Sequence, residues 1–394
     1  VLAVAALACR AGGGASSTAG EPAPDAFVAP PTRDVLGAVA RELAPRNVSR
    51  TPEHNEASPR FSPDGRLLAY ETRDGSAQAI LVAHVDALEQ PPQRVSSLGG
   101  SAAPSGEDAL LGVAARDESY NAELSFAADG GSFVFTGNGA SGTYRLYAGR
   151  LGEAQAPALT RETREDGHPA LSPDGRWLAY VSAREGVGKL WLRNLASGTE
   201  RQLGEGAEVD LYPAWSPDSR ALAFTSGAND DHNIFVVRDV AAPDARPIAL
   251  TRWSFDDLRP AFSADGRAIA FYSNYDPQGG LDDWSIVVVP ADGSGPSKGK
   301  DLAARVVATR VVKDLAVGPA WLPFGHALVY ARNLEAEWNP IHVVDAETRE
   351  ERRIETATRM NHDVTCSASG LLAFRAQVQS WDDIFVAPLV DVSR

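Results

Sequence analysis

One pattern of apolar and polar positions recurs along the chain. It reads FSPDGRLLAY at 61, LSPDGRWLAY at 171, WSPDSRALAF at 215 and FSADGRAIAF at 262. The polar half is a tight turn: Pro63 presets φ, Asp64 bonds its own backbone and Gly65 takes the left-handed conformation that returns the chain. The apolar half alternates as a strand does, so each phrase predicts a β-hairpin. Weaker copies stand at 126 (FAADGGSFVF), 321 (WLPFGHALVY) and 366 (CSASGLLAF), giving seven starts separated by 65, 45, 44, 47, 59 and 45 residues. A period near 45 with two inflated intervals is that of a repeat array with loop insertions.

A third apolar run follows each hairpin, as in KLWLRNL at 189 and NIFVVRDV at 233, and a short fourth often comes after it, as in ALT at 158 and at 249. Four strands per unit, radially repeated, predict an all-β propeller of four-stranded antiparallel blades. Seven hairpins predict seven blades, with a six-bladed ring as the alternative. The seventh unit stops after its third strand, and RNVSR at 46–50 reads as an orphan strand ahead of the first unit. Using it to complete blade 7 would close the ring and leave no open sheet edge.

The Ser-Pro-Asp-Gly-Arg, apolar, Ala-aromatic phrase resembles the TolB-type propeller repeat over about residues 46–390. That resemblance implies a partner at the bacterial cell envelope, there a peptidoglycan-associated lipoprotein, bound through the channel mouth.

Charge narrows the partners. With 37 basic and 52 acidic residues the net charge is −15, which opposes nucleic-acid binding. The N-terminus adds an address: VLAVAALAC starts without Met, and Met360 is the only Met in the sequence, so a longer reading frame is expected upstream. Residues 1–9 resemble the end of a lipoprotein signal, with Cys9 as the lipid-bearing residue in the periplasm or outer membrane; an ordinary cleaved secretory signal is the alternative. Residues 10–33 are a Gly/Ser/Ala/Pro linker of disordered composition. Residues 34–45 place Val35, Leu36, Val39 and Leu43 at helical spacing, predicting a short helix packed on the propeller that begins at 46.

Two columns of the repeat carry candidate binding chemistry. Three places before the Pro that opens most first strands, or the Leu124 and Val364 that align with it, stand Glu56, Asn121, Asp166, Asp210, Asp257, Ala316 and Asn361. They are expected either to cap local turns or to form a polar ring at the channel mouth, where Ca²⁺ is the one cofactor they would suit. The residue just before that aligned position varies: Ser58, Glu123, His168, Tyr212, Arg259, Gly318 and Asp363. Variation inside a repeat is where an asymmetric ligand site would be written, and His168, Tyr212 and Arg259, on successive blades, are expected to form one patch.

The hairpins joining strands two and three share that rim. They carry Asp230, Asp231, Asp282, Asp283, Glu335, Glu337, Asp382 and Asp383, with Trp284, Trp338 and Trp381 interleaved. Carboxylates beside aromatic rings suit a basic protein or peptide, or another cationic ligand. Among enzymes, GSGPSKGKD at 293 has the wrong spacing for a phosphate loop and reads as an insertion loop. The enzymatic alternative is an oligogalacturonate-lyase-like propeller holding a divalent metal through His54, His168, His232 and His362, although only His54 and His362 are expected to be neighbours. The reading from sequence is a monomeric, noncatalytic binding platform.

Overall fold

The computed structural model describes residues 35–50, 54–74, 77–95, 121–138, 143–153, 155–161, 165–228, 231–277, 283–294, 302–314, 316–334 and 338–390. Its strands form seven antiparallel sheets in chain order, so the ring has seven blades rather than six. Blade 3 is representative: Asp166–Leu171 lines the axis, Trp177–Ser182 and Lys189–Asn194 follow outward, and Glu200–Gln202 forms the outer edge. In blade 2 the described residues form three strands, and the place of the fourth is marked by a bridge from Ala158 to Tyr147.

Each hairpin forms as its residues dictate. The Ser hydroxyl of the turn donates to the Asp two places on, at 2.6 Å in Ser62–Asp64, Ser172–Asp174, Ser216–Asp218 and Ser263–Asp265. The same Ser oxygen accepts the N–H that opens the second strand, as from Leu67 and Trp177. Second strands are the most deeply buried: Leu68, Tyr180, Phe224, Phe271 and Phe374 are at most 1% exposed and fill the space between neighbouring blades. The core is accordingly a circle of inter-blade clusters.

Closure follows the pairing expected from RNVSR. Arg46–Asn47 pairs with Trp381–Pro388, Arg46 opposite Val386 and Asn47 opposite Phe385. Beyond the paired residues, Val48 N–H donates to the Ile384 carbonyl at 2.7 Å, and the Ser49 hydroxyl accepts from Ile384 N–H at 3.1 Å.

The expected helix over 34–45 is corrected. Only a single 3-10 turn, Leu36–Ala38, is present, after which the chain runs extended. Val39 bridges Val390, Ala40 N–H donates to the Leu389 carbonyl, and Leu43 and Glu355 exchange bonds with the opposite strand. Val35, Leu36, Val39 and Leu43 are all buried, so the apolar positions were read correctly and their local geometry was not. The outer edges of blades 6 and 7 offered backbone partners, and pairing there overrides helix propensity. Among the described residues no helix is long and apolar enough to cross a membrane.

Candidate functional site: the channel wall and its rim

The inner strands carry both candidate columns, and a backbone irregularity separates them. In blades 1 to 5 and 7 the pairing of the first and second strands shifts register around the Pro or, in blades 2 and 7, around the Leu124 and Val364 that stand in its place. The preceding residue has a positive φ at Ser58, Glu123, His168, Tyr212, Arg259 and Asp363, between 49° and 59°. Non-glycine residues rarely adopt that backbone, and a bulge accommodates a Pro that cannot donate to the ladder. Gly318 holds the equivalent place in blade 6.

The acid and amide column lies in the seams between blades. Glu56, Asn121, Asp166, Asp210, Asp257 and Asn361 are each at most 1% exposed. They lie in the seams rather than forming an open polar ring at the mouth, and Asp210, Asn121 and Asn361 fasten their blades to the one before. Asp210 Oδ2 accepts from Leu190 N–H at 2.9 Å. The Asn121 amide donates to the Gln78 carbonyl at 3.1 Å, and that of Asn361 to the Asn339 carbonyl at 2.8 Å. Where the fourth strand ends in Thr, the hydroxyl takes the N–H instead: Leu146 N–H donates to Thr160 at 3.0 Å and Ile234 N–H to Thr251 at 2.8 Å. Ser49 does the same across the closing seam. Gly204 occupies the Thr position beside Asp210, and a Cβ there would fall 1.6 Å from Asp210 Oδ2. Relieved of the backbone N–H, Asp257 lies against Ser273, Thr251 and Trp253, and burial pushes its carboxyl up to about 8. Burial raises Asp166 and Asp210 as well.

The variable column turns into the channel and links one blade to the next. His168 Nδ1 lies 2.6 Å from Glu123 Oε1, the His168 ring meets Tyr212 edge-on at 4.9 Å, and the Arg259 guanidinium lies 3.8 Å above the Tyr212 ring. The structure thus brings His168, Tyr212 and Arg259 together, with Glu123 as a fourth member. Burial alone would raise Glu123, but the His168 charge and the His168 hydrogen bonds hold it well below the usual carboxylate range. On the other side, Asp363 accepts from Ser58 N–H and pairs with Arg375 at 2.9 Å. Asp314, which the sequence reading missed, accepts from Asp363 N–H, while burial and the Asp363 charge push its own carboxyl upward. Below this layer a cavity of about 580 Å³ runs down the axis, with Tyr212, Arg60 and Arg259 at one end and Ser62, Pro63 and Ser367 of the turn face at the other.

The rim acids are more neutralised than their sequence suggested. Lys313 lies 3.7 Å over Trp284, Arg359 lies 5.7 Å from the Trp338 ring centroid, and Asp382 pairs with Arg375 at 2.8 Å. Asp283 lies 4.0 Å from Arg310, and Asp383 is buried as an acceptor for Asn47 and Ser49. Asp231 is exposed. Asp230, Asp282, Glu335, Glu337 and Cys9 lie outside the described residues. The rim also exposes apolar surface: of the six large exposed hydrophobic side chains among the described residues, Tyr144, Val187, Trp338, Val378 and Trp381 stand on or beside hairpins joining strands two and three. The exception is Ile248.

The histidines do not converge. His168 is held by Glu123 and His232 by Asp256 at 2.5 Å, while His362 contacts Asn339 at 3.3 Å. Among the described residues no three His, Cys, Asp or Glu side chains are grouped to hold a metal ion.

Residues 167–282 match the family model described as the TolB beta propeller domain. Over that stretch the chain is similar to the TolB propeller. A TolB homologue from Protochlamydia amoebophila is 36% identical over 56 residues, 14% of this chain and 12% of that protein. TolB from Acinetobacter baumannii superposes with a TM-score of 0.51 at 16% identity, covering 75% of this chain and 65% of its own. Two enzymes share the fold. Oligogalacturonate lyase from Vibrio parahaemolyticus gives 0.55 at 11% identity, over 88% of this chain and 97% of its own. A puromycin-hydrolyzing peptidase from Mycobacterium tuberculosis gives 0.60 at 15% identity, over 90% of this chain and 55% of its own. At such identities the likeness concerns architecture alone.

Proposed function

We propose that this chain is a noncatalytic binding platform of the bacterial cell envelope, and that the rim of strand two–three hairpins docks a protein or peptide partner. One observation carries the reading: five of six large exposed hydrophobic side chains lie on that rim, with Trp338 at 49% and Trp381 at 38% exposure. Aromatic side chains gathered on one face mark protein interaction surfaces more often than chance exposure does. The net charge of −15 and exposed Asp231 favour a partner of basic character. The envelope location rests on the TolB-type repeat and on the signal-like run ending at Cys9, which would anchor the protein by lipid in the periplasm or outer membrane.

Capture from envelope extract tests the proposal. The tagged full chain should retain a partner that Trp338→Ala/Trp381→Ala loses at an unchanged melting temperature. Equal capture by the double variant would remove the rim from the account.

A further inference from the structure

The axial cavity carries two arginines that make few hydrogen bonds within the protein. Arg60, on the first strand of blade 1, reaches towards blade 6, where its Nη2 donates to the Ala316 carbonyl at 2.6 Å. Arg259, on the first strand of blade 5, lies over Tyr212. Both line the cavity, and in each the Nε is buried without a hydrogen-bond partner. The nearest carboxylates are otherwise engaged. Glu123 is taken by His168 and Thr136, while Glu71 accepts from Glu123 N–H and from Gln78. Burial, with the Arg60 charge next, brings the Arg259 guanidinium down to about 10. Two like charges in a poorly solvated space are costly unless an anion joins them.

Apolar tiers make up much of the rest of the wall, with Ser62, Ser125, Thr365 and Ser367 among them. Pro169, Pro213 and Pro260 form one tier, and Trp215, Phe262 and Trp321 form another nearer the Ser-Pro-Asp-Gly turns. The two indoles are fixed by donating to Ala170 and Ala261 of the preceding blades, at 2.9 and 3.0 Å, so those aromatic walls are rigid. A volume of about 580 Å³ is that of a small-molecule site.

We infer that the channel binds a small organic carboxylate from the Ser-Pro-Asp-Gly face, its carboxylate held by Arg60 and Arg259 and its apolar body lying between the Pro and aromatic tiers. Guanidinium groups suit this head because their planar fork matches a carboxylate. The nearby Glu71 and Glu123 favour a monoanion over a dianionic phosphate. The site lies apart from the rim hairpins, and neither it nor the docking proposal depends on the other.

Calorimetric titration of the full chain with N-acetyl-phenylalanine, its amide N-acetyl-phenylalaninamide and inorganic phosphate tests the inference. The acid should bind and raise the melting temperature, and the amide and phosphate should bind at least about tenfold more weakly. Arg259→Gln and Arg60→Gln should each weaken the acid about tenfold or more while leaving the unliganded melting temperature level or higher, since a buried unpaired cation has been removed. Trp338→Ala/Trp381→Ala should bind the acid as the wild type does. Equal binding of acid and amide, tighter binding of phosphate, or no binding of the acid by the wild type would each overturn the assignment without recourse to a variant. Undiminished binding of the acid by both well-folded Gln variants would do so as well.

Discussion

The seams between blades and the wall of the channel are built from polar residues of the same inner strands, two positions apart, yet they have opposite characters. Asp210 is fully buried, accepts from Leu190 N–H and has close relatives in most blades. Tyr212 remains partly open, packs against His168 and Arg259, and has no counterpart of its kind in any other blade. In a regular strand, positions two apart would share a face. The bulge at each Tyr-Pro or His-Pro step breaks that rule and lets one column fasten the ring while the other is free to vary. Uniform chemistry belongs to the seam, where every blade must meet its neighbour alike, and diversity belongs to the wall.

The largest expected effect comes from opening the closing seam. Val35, Leu36, Val39, Leu43 and Val48 are buried, and at roughly 1.5–3 kcal/mol each their removal rivals the whole net stability of a domain. Deleting residues 1–52 should abolish the cooperative melting transition, whereas deleting 1–31 should leave it in place. Equal melting curves for the two truncations would mean that the ring closes some other way.

A smaller effect sharpens the comparison inside one seam. Gly204→Ala puts a methyl group where Asp210 Oδ2 now lies, displacing the carboxylate from Leu190 N–H, and should cost about 2–4 kcal/mol by urea unfolding. Thr251 holds the same position in blade 4 without harm because its hydroxyl replaces the carboxylate as acceptor for Ile234 N–H. A fully stable Gly204→Ala protein would show that the seam carboxylate is dispensable.

Much of this architecture was legible in the chain. The Ser-Pro-Asp-Gly turns, the period near 45 and the orphan RNVSR gave the blade count and the closure, because turn chemistry and strand alternation act locally. The direction of Glu56 or Asp257 was not legible, since it depends on a register shift and on a neighbouring blade about 45 residues away. A Pro in or next to the inner strands of five blades was the available sign of a bulge, though Leu124 and Val364 show that the bulge forms without it. The cations over Trp284 and Trp338 were missed for a related reason: Lys313 and Arg359 approach from segments distant in sequence from those rings. The segment at 35–43 was misjudged because spacing records which side chains are buried but not the sheet edge waiting for the backbone.

Acidity gives a further effect, read as a slope against pH. With its pKa raised to about 8, Asp257 keeps a proton in the folded state that the unfolded chain releases near pH 4. Its contribution therefore weakens stability as pH rises from about 4 to about 8 and levels off above that. Asp257→Asn should flatten this decline, raising the melting temperature at pH 8.5 by about 2 °C or more relative to wild type. A variant that melts in parallel with the wild type across pH 5–8.5 would place the raised carboxyl elsewhere.

The division between seam and wall is tested most directly by urea unfolding of Asp210→Ala beside Tyr212→Ala. The first removes a buried acceptor and leaves Leu190 N–H and Lys189 without it, and should lower stability by about 3 kcal/mol. The second opens the channel without touching the seam, and should cost about 1 kcal/mol or less. Equal losses, or a larger loss for Tyr212→Ala, would contradict the account.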